Sequence, residues 1–230
     1  MKLCVPSWQL PGSWLRNAEK LVDLPWIEGI ELLFFSFDDE TRKLFDAERE
    51  ALAGLAERFS FSLHLPDPLM PADRDLVEMT ESFVEDYVFH PFGFGDSSRE
   101  NREERAWAAL VREMRAAYGR ERFAMEYTGE KAFEKSLVLL PDLSLCADTG
   151  CLIRCGHQPL SWIRNHAGSL REIHLHAARG NKDHFALGPD DAWLPDLARA
   201  AGKSDWRIVL ETFSLEESRA SYDELRRWLP

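Results

Sequence analysis

Residues 171–187 read REIHLHAARGNKDHFAL. The first six form a short apolar run that ends in His-x-His. Alternation along a strand sends residues i and i+2 to one face, so a strand over 171–176 points His174 and His176 the same way. A loop opening on Gly180 follows and carries Asp183 and His184. An Asp-His pair in a loop is commonly a turn feature, but its place directly after His-x-His makes it a candidate part of the same site. Two readings of the histidines stand open. Both ligate a metal, or one ligates and the other is its hydrogen-bonding neighbour.

The pattern recurs along the chain. Residues 59–64 (FSFSLH), 86–90 (DYVFH), 122–126 (RFAME), 143–148 (LSLCAD) and 206–211 (WRIVLE) are short apolar runs ending in His64, His90, Glu126, Asp148 and Glu211. Residues 2–5 and 29–35 (GIELLFF) read as two more strands. Helices are predicted at 14–22, 38–58, 75–83, 99–118, 130–140, 158–166, 190–201 and 215–228. In the second of these Asp38 and Asp39 can cap, and Leu44, Leu52 and Leu55 supply part of the apolar face. Strands alternating with helices, without a linker, call for parallel strands and right-handed crossovers. The fold expected is α/β, a compact (β/α)8 TIM barrel with short helices, in one domain over 1–230. A doubly wound open sheet has the same local pattern and is the structural alternative. A carboxylate or imidazole at the C-terminal end of strand after strand is how such a barrel builds a site.

Each of these residues alone has an ordinary structural reading: a satisfied core histidine, or a carboxylate paired with Arg. Together they point to divalent metal. A carboxylate buried at a strand end costs several kcal/mol unless a cation or a hydrogen-bond network meets it. Glu126, Asp148 and Glu211 are three such carboxylates, and two of them with a histidine suit Zn²⁺, Mn²⁺ or Fe²⁺. His64, His90 and Glu126 make a second set of two imidazoles and one carboxylate.

Composition narrows the partners. The 230 residues carry a net charge of −12, which disfavours long polyanions because DNA affinity comes largely from Lys and Arg. A small-molecule substrate is expected, with no nucleic acid and no membrane; the oligomeric state is not legible. Residues 1–14 hold no apolar signal core and no run of 18 apolar residues occurs, so a soluble, cytoplasmic protein is expected. Cys4, Cys146, Cys151 and Cys155 fit that compartment as free thiols and match no CxxC zinc spacing.

At this point the chain resembles a superfamily, the xylose-isomerase-like TIM barrels, which include endonuclease IV. That pattern has His on strands three and four, Glu on five, Asp-x-x-His after six, His on seven, a loop Asp/His pair and Glu on eight. Here it falls on His64, His90, Glu126, Asp148, His174, Asp183 with His184, and Glu211. A closer resemblance covers nearly the whole chain. The segments PSWQLPG, GIELLFF, SLHLPDPL, FHPF, DTGCL, IHLHAARGNKDHFAL and VLETFS resemble the cobamide-remodelling phosphodiesterases of the CbiR type. The resemblance implies hydrolysis of the phosphate–ribose linkage in the cobamide nucleotide loop, for corrinoid salvage. A bulky apolar corrinoid suits aromatic loops such as 7–14 and 90–94.

On that resemblance two or three divalent ions (Zn, Mn, Fe or Co) are expected. His64, His90 and Glu126 hold one; Glu126, Asp148, His174 and Glu211 hold the second, with Glu126 bridging. Cys151 and His184, with Asp183 or His176, hold a third. Glu126, Glu211 and His176 are the candidates for catalysis. One position departs from the pattern: Cys151 stands where His is expected. A thiolate is a competent zinc ligand at about 2.3 Å, so the site can persist with altered metal choice, or one ion can be weakly held. Two other functions compete. In a sugar isomerase or epimerase of the same barrel, Glu126 and Glu211 are a paired acid and base across one metal held with Asp148 and a strand-seven histidine. A degenerate, non-catalytic corrinoid-binding barrel has Cys151 as its support.

Overall fold

The apolar runs become strands because they are short, rich in β-branched and aromatic residues, and buried on both faces, as parallel strands under helices must be. The computed structural model describes residues 1–93 and 97–230, of which 97–101 by backbone alone. Phe94, part of the aromatic loop expected at 90–94, lies outside the described residues. The barrel strands are β1 (Lys2–Pro6), β2 (Gly29–Leu33), β3 (Ser60–His64), β4 (Val84–Phe89), β5 (Phe123–Glu126), β6 (Ser144–Asp148), β7 (Leu170–His174) and β10 (Arg207–Val209). They close in the order β1-β10-β7-β6-β5-β4-β3-β2, every pair parallel. The eight-stranded TIM barrel read from the sequence is therefore present, and the open sheet is not.

Helices α1 (Trp14–Leu21), α2 (Asp39–Gly54), α3 (Asp73–Thr80), α4 (Ser97–Tyr118), α5 (Glu130–Leu139), α6 (Thr149–Arg154), α7 (Pro159–Asn165), α8 (Leu194–Ala201) and α9 (Leu215–Leu225) return the chain between strands. Asp38 caps α2, its side chain accepting the Thr41 N–H at 2.9 Å. Phe45 and Leu52, seven residues apart, form the buried stripe of that helix, so Leu44 faces outward and is 48% exposed.

Two elements differ from the sequence reading. Strand β7 ends at His174 rather than at 176, and 177–187 is not a plain loop. Ala177–Arg179 (β8) and Lys182–Phe185 (β9) pair as an antiparallel hairpin about Gly180, which has φ 63°. The segment after β6 turns directly into α6, where only α7 was expected.

The barrel interior has a polar floor. Glu31 on β2, Glu172 on β7 and Ser62 on β3 are fully buried, and Arg207 on β10 is nearly so. Ser62 Oγ donates to Glu172 at 3.2 Å, and Arg207 Nε lies 3.4 Å from the same carboxylate. Arg207 Nη2 donates to Ser60 Oγ at 2.7 Å and Glu85 at 2.8 Å, and Nη1 donates to the Ser60 carbonyl at 3.2 Å. Branched apolar side chains usually fill a TIM barrel; here a paired charge network lies beneath the mouth.

Candidate metal centre

Register sets the level of each donor. Asp148 and His174 are Cα partners across β6 and β7, each the last residue of its strand. His64 and Glu126 also end their strands, while His90 comes one residue after β4 and Glu211 two after β10. All of them reach the C-terminal mouth, around a cavity of about 360 Å³ lined by His64, His90, Glu126, Asp148, Cys151, His184 and Glu211, with Asp67, Arg154 and Asp183.

His64 and His90 form the first group with Glu126. Their Nε2 atoms lie 2.9 and 3.2 Å from Glu126 Oε2. His64 Nδ1–H donates to the Leu65 carbonyl at 3.0 Å, and His90 Nδ1 lies 3.3 Å from Asp67 Oδ2. These outer contacts place a proton on each Nδ1 and turn each Nε2 inward, the arrangement of a ligating histidine. Without a metal, burial disfavours charge on His90, but hydrogen bonds to Asp67 and Glu126 outweigh it and push its pKa up to about 10. His64 is raised in the same way, burial being outweighed by Glu126.

The second group surrounds His174. Its Nε2 meets Glu31 Oε1 at 3.1 Å, which leaves Nδ1 facing Glu126 Oε2 at 3.6 Å and Glu211 Oε2 at 3.4 Å. Nδ1 of His174 and Oε2 of Glu211 are both buried without a hydrogen-bond partner. In the neutral ring that Glu31 orients, a nitrogen lone pair would face two carboxylate oxygens. Only a proton or a cation between them relieves that repulsion. Glu126, Asp148 and His174 bring donor atoms within 4.8 Å of one another, as do His64, His90 and Glu126. The mix of hard oxygens and imidazole nitrogens suits Mn²⁺, Fe²⁺, Co²⁺ or Zn²⁺. Burial pushes the Glu211 carboxyl up to about 8, whereas Glu126 is held well below the usual range, His174 and its other histidine partners outweighing burial.

Around His176 the backbone is tightly built. Thr149 Oγ1 accepts the His176 N–H at 3.0 Å and donates to the His176 carbonyl at 2.7 Å. Gly150 passes so close that a Cβ there would lie 2.2 Å from His176 Cε1. His176 Nδ1 accepts the backbone N–H of His184 at 2.9 Å, and the two rings stack at 4.3 Å. His184 adopts φ 60° to make this contact. Because Nδ1 is an acceptor, the ring proton of neutral His176 sits on Nε2, which faces Asp148 Oδ1 at 3.2 Å and Glu211 Oε2 at 3.5 Å. A protonated nitrogen offers no lone pair to a metal, so this geometry aims Nε2–H of His176 at those carboxylates, although it makes no hydrogen bond to either.

Of the remaining candidates His184 is drawn into a third group, and Asp183 and Cys151 are not. Asp183 pairs with Arg154, Oδ2 to Nη2 at 2.6 Å. Asp148 Oδ1 accepts the Cys151 N–H at 2.6 Å and so caps α6, which sets Cys151 in the first helical turn. Burial, with Asp148 nearby, pushes the Cys151 thiol up and disfavours the thiolate. Among the described residues Cys151 and Asp183 join none of the sets of three donors. His184 does, with His176 and Glu211, its Nδ1 bonded to the Glu211 carbonyl at 3.2 Å. Three participants were missed in the sequence: Asp67, Glu31 and Glu172. The signal for the last two was a lone Glu inside an apolar strand; Asp67 sits between two prolines and carries no such mark.

No protein-family model matches the chain, and no curated protein matches it in sequence. Solved structures do resemble it along the whole length. A D-tagatose 3-epimerase-like protein superposes with a TM-score of 0.73 at 18% identity, covering 100% of this chain and 97% of that one. The probable 3-DHS dehydratase AsbF of Bacillus anthracis, involved in petrobactin synthesis, gives 0.70 at 15% identity, covering 98% of each chain. The 3-keto-D-glucoside 4-epimerase YcjR from E. coli gives 0.65 at 13% identity, covering 100% and 98%. At these identities the likeness is one of fold: the chain shares its TIM barrel with these proteins.

Proposed function

We propose that the chain is a divalent-metal-dependent isomerase or epimerase of a small hydroxylated carbonyl compound, of the sugar class. The observation that carries this reading is the convergence of Glu126 and Glu211 on one nitrogen, His174 Nδ1, from two strand ends. Glu126, Asp148, His174 and Glu211 would hold the ion. When bound, it supplies Lewis-acid polarisation of a substrate carbonyl. One of the two glutamates takes the proton from the carbon beside that carbonyl, and the other returns one from its own side. Glu31 keeps the His174 ring turned, and His176 keeps Asp148 and Glu211 aimed. The cavity of about 360 Å³ is at the small end for ligand sites, a size suited to a single sugar unit. Solved structures of similar fold include epimerases and a dehydratase, which supports the same class.

The test is solvent exchange. Protein loaded with Mn²⁺ or Co²⁺ and incubated in D₂O with ketopentoses and ketohexoses should place deuterium on the carbon next to the carbonyl, read by NMR. Chelation should stop it. A panel with no exchange at all, alongside full metal content, would sink the reading.

A second reading rests on a separate observation. Glu126 also faces His64 and His90, so it is shared by two donor groups. Two ions bridged by one carboxylate suit a phosphodiesterase, including one acting on a cobamide nucleotide loop, whereas a one-metal isomerase has no need of the second set. Two ions per chain with turnover of bis(4-nitrophenyl) phosphate would favour the hydrolase. One ion with deuterium exchange would favour the isomerase.

A further inference from the structure

The mouth has one apolar side. Phe35, just after β2, lines the metal-centre cavity yet is 71% exposed. Trp8, after β1, is 46% exposed and meets Phe35 edge to face at 6.2 Å. Together with Leu44 of α2 they wall a second cavity of about 160 Å³, which shares Leu33 and Phe35 with the metal-centre cavity. Among the described residues no charged side chain lines it; its polar side chains are the hydroxyls of Ser7, Ser13, Ser36 and Thr41. Its back wall is fixed: Trp14 Nε1–H donates to the Leu33 carbonyl at 2.9 Å, and the Trp14 ring stacks on Phe34 at 4.6 Å. The notch therefore has a held ring, Trp14, behind the two exposed ones.

Its size selects an occupant. A cavity of about 150 Å³ takes a benzene ring. An uncharged notch of that volume, opening into a polar centre through a shared phenylalanine, matches a ligand with a polar head and a flat apolar group. A second protein chain fits less well, since a stable interface needs roughly 800 Å² per partner and this surface is a concave pocket of about 160 Å³.

We propose that the Trp8–Phe35–Leu44 notch is a subsite for an uncharged aromatic or similarly flat group carried by the substrate. The preferred substrate is then a conjugate, a sugar unit joined to an apolar ring, of which a free ketose is the truncated form. The sugar part of that statement rests on the isomerase reading; the preference for a flat apolar group does not.

Two probe pairs separate those parts: phenyl against methyl β-D-glucopyranoside, and phenyl against methyl phosphate. Binding to Mn²⁺-loaded protein is followed by calorimetry. Burial of a phenyl ring should tighten binding by about 10-fold or more over methyl. Trp8→Ala and Leu44→Glu, at exposed positions that line the notch and not the metal-centre cavity, should cut that preference to within about 2-fold while metal content and methyl-probe affinity hold. Phenyl preference in the glycosides supports the whole proposal. Phenyl preference in the phosphates alone keeps the notch and overturns the sugar conjugate. Equal binding of phenyl and methyl in both pairs, or a preference that survives both substitutions, overturns the notch. So does a wild-type dimer, seen by sedimentation, that Phe35→Glu splits.

Discussion

The mouth and the floor of the barrel both bury carboxylates, and they neutralise them differently. In the floor, Glu172 is answered by Arg207 from the same chain, which also reaches Ser60 and Glu85. In the mouth, Glu126, Asp148 and Glu211 stand among histidines, with no Lys or Arg bonded to them among the described residues. Both layers leave a buried nitrogen and a buried oxygen 3.4 Å apart without a hydrogen bond, Arg207 Nε and Glu172 Oε2 in the floor and His174 Nδ1 and Glu211 Oε2 in the mouth, but only in the floor is the nitrogen part of a permanent cation. A permanent guanidinium makes a structural site; imidazoles that can shed a proton make room for an exchangeable cation. His174 joins the two layers, one ring nitrogen on Glu31 and the other at the mouth.

The strongest way to break this contrast is in the mouth. Glu126→Gln should lower the reaction rate by about 10²–10⁴-fold, the usual worth of a positioned acid or base, and should reduce bound metal. Metal analysis of Glu126→Gln and Glu211→Gln at wild-type values would mean that the mouth carboxylates do not serve a cation. The complementary change is in the floor. Arg207→Met leaves Glu172 uncompensated and should cost about 3–5 kcal/mol in urea unfolding, and Glu172→Gln added to it should restore part of that. A stable Arg207→Met protein would remove the claimed pairing.

The contrast also predicts a pH signature. In metal-free protein burial pushes Glu211 up to about 8 and Glu172 up to about 7, and His90 stands at about 10 through Asp67 and Glu126. Unfolded, such groups titrate near 4.3 and 6.5. The folded chain thus binds more protons than the unfolded one between about pH 5 and 8, so stability should fall as pH rises through that window. Glu126, lowered in the fold, contributes above its unfolded value and is lost only in acid, so it is level across the window. Added Mn²⁺ at 100 times its Kd should raise stability by about 2.7 kcal/mol and flatten the slope. Melting curves at pH 5 and pH 8, with and without Mn²⁺, decide this; a slope unchanged by metal would place the titrating groups away from the centre. The smallest effect belongs to the outer support. Asp67→Asn should weaken metal binding about 10-fold with little change in folding, because Asp67 is exposed. Unchanged affinity would show that His90 needs no orienting carboxylate.

Most of the barrel was legible because each strand is an apolar run with a polar stop. Those stops, His64, His90, Glu126, Asp148 and Glu211, do converge at the mouth. What escaped has physical causes. Hairpin β8–β9 carries no alternation in GNKDHF, and its pairing depends on the turn at Gly180 and on the hold of Arg154 on Asp183. Helix α6 starts on Thr-Gly, weak formers, and relies on the Asp148 cap. Glu31 hid inside GIELLFF because its reason, a histidine 143 residues away, is a matter of tertiary contact. The sequence placed a third donor set on Cys151 and His184, with Asp183 or His176. In three dimensions His176 and His184 meet Glu211, while Arg154 pairs with Asp183, and Cys151 lines the cavity without joining a set of three donors among the described residues.

The same oxygen of Asp148 begins a helix and borders the metal centre. A carboxylate shared in this way ties ion loading to the order of α6. Drawing Asp148 toward an ion loosens the amide of Cys151, so that proton should exchange with solvent at a rate that reports occupancy. Replacement of Asp148 would then carry two penalties at once, an unbound cation and a frayed helix start. That leaves residues 148–151 little freedom to drift separately.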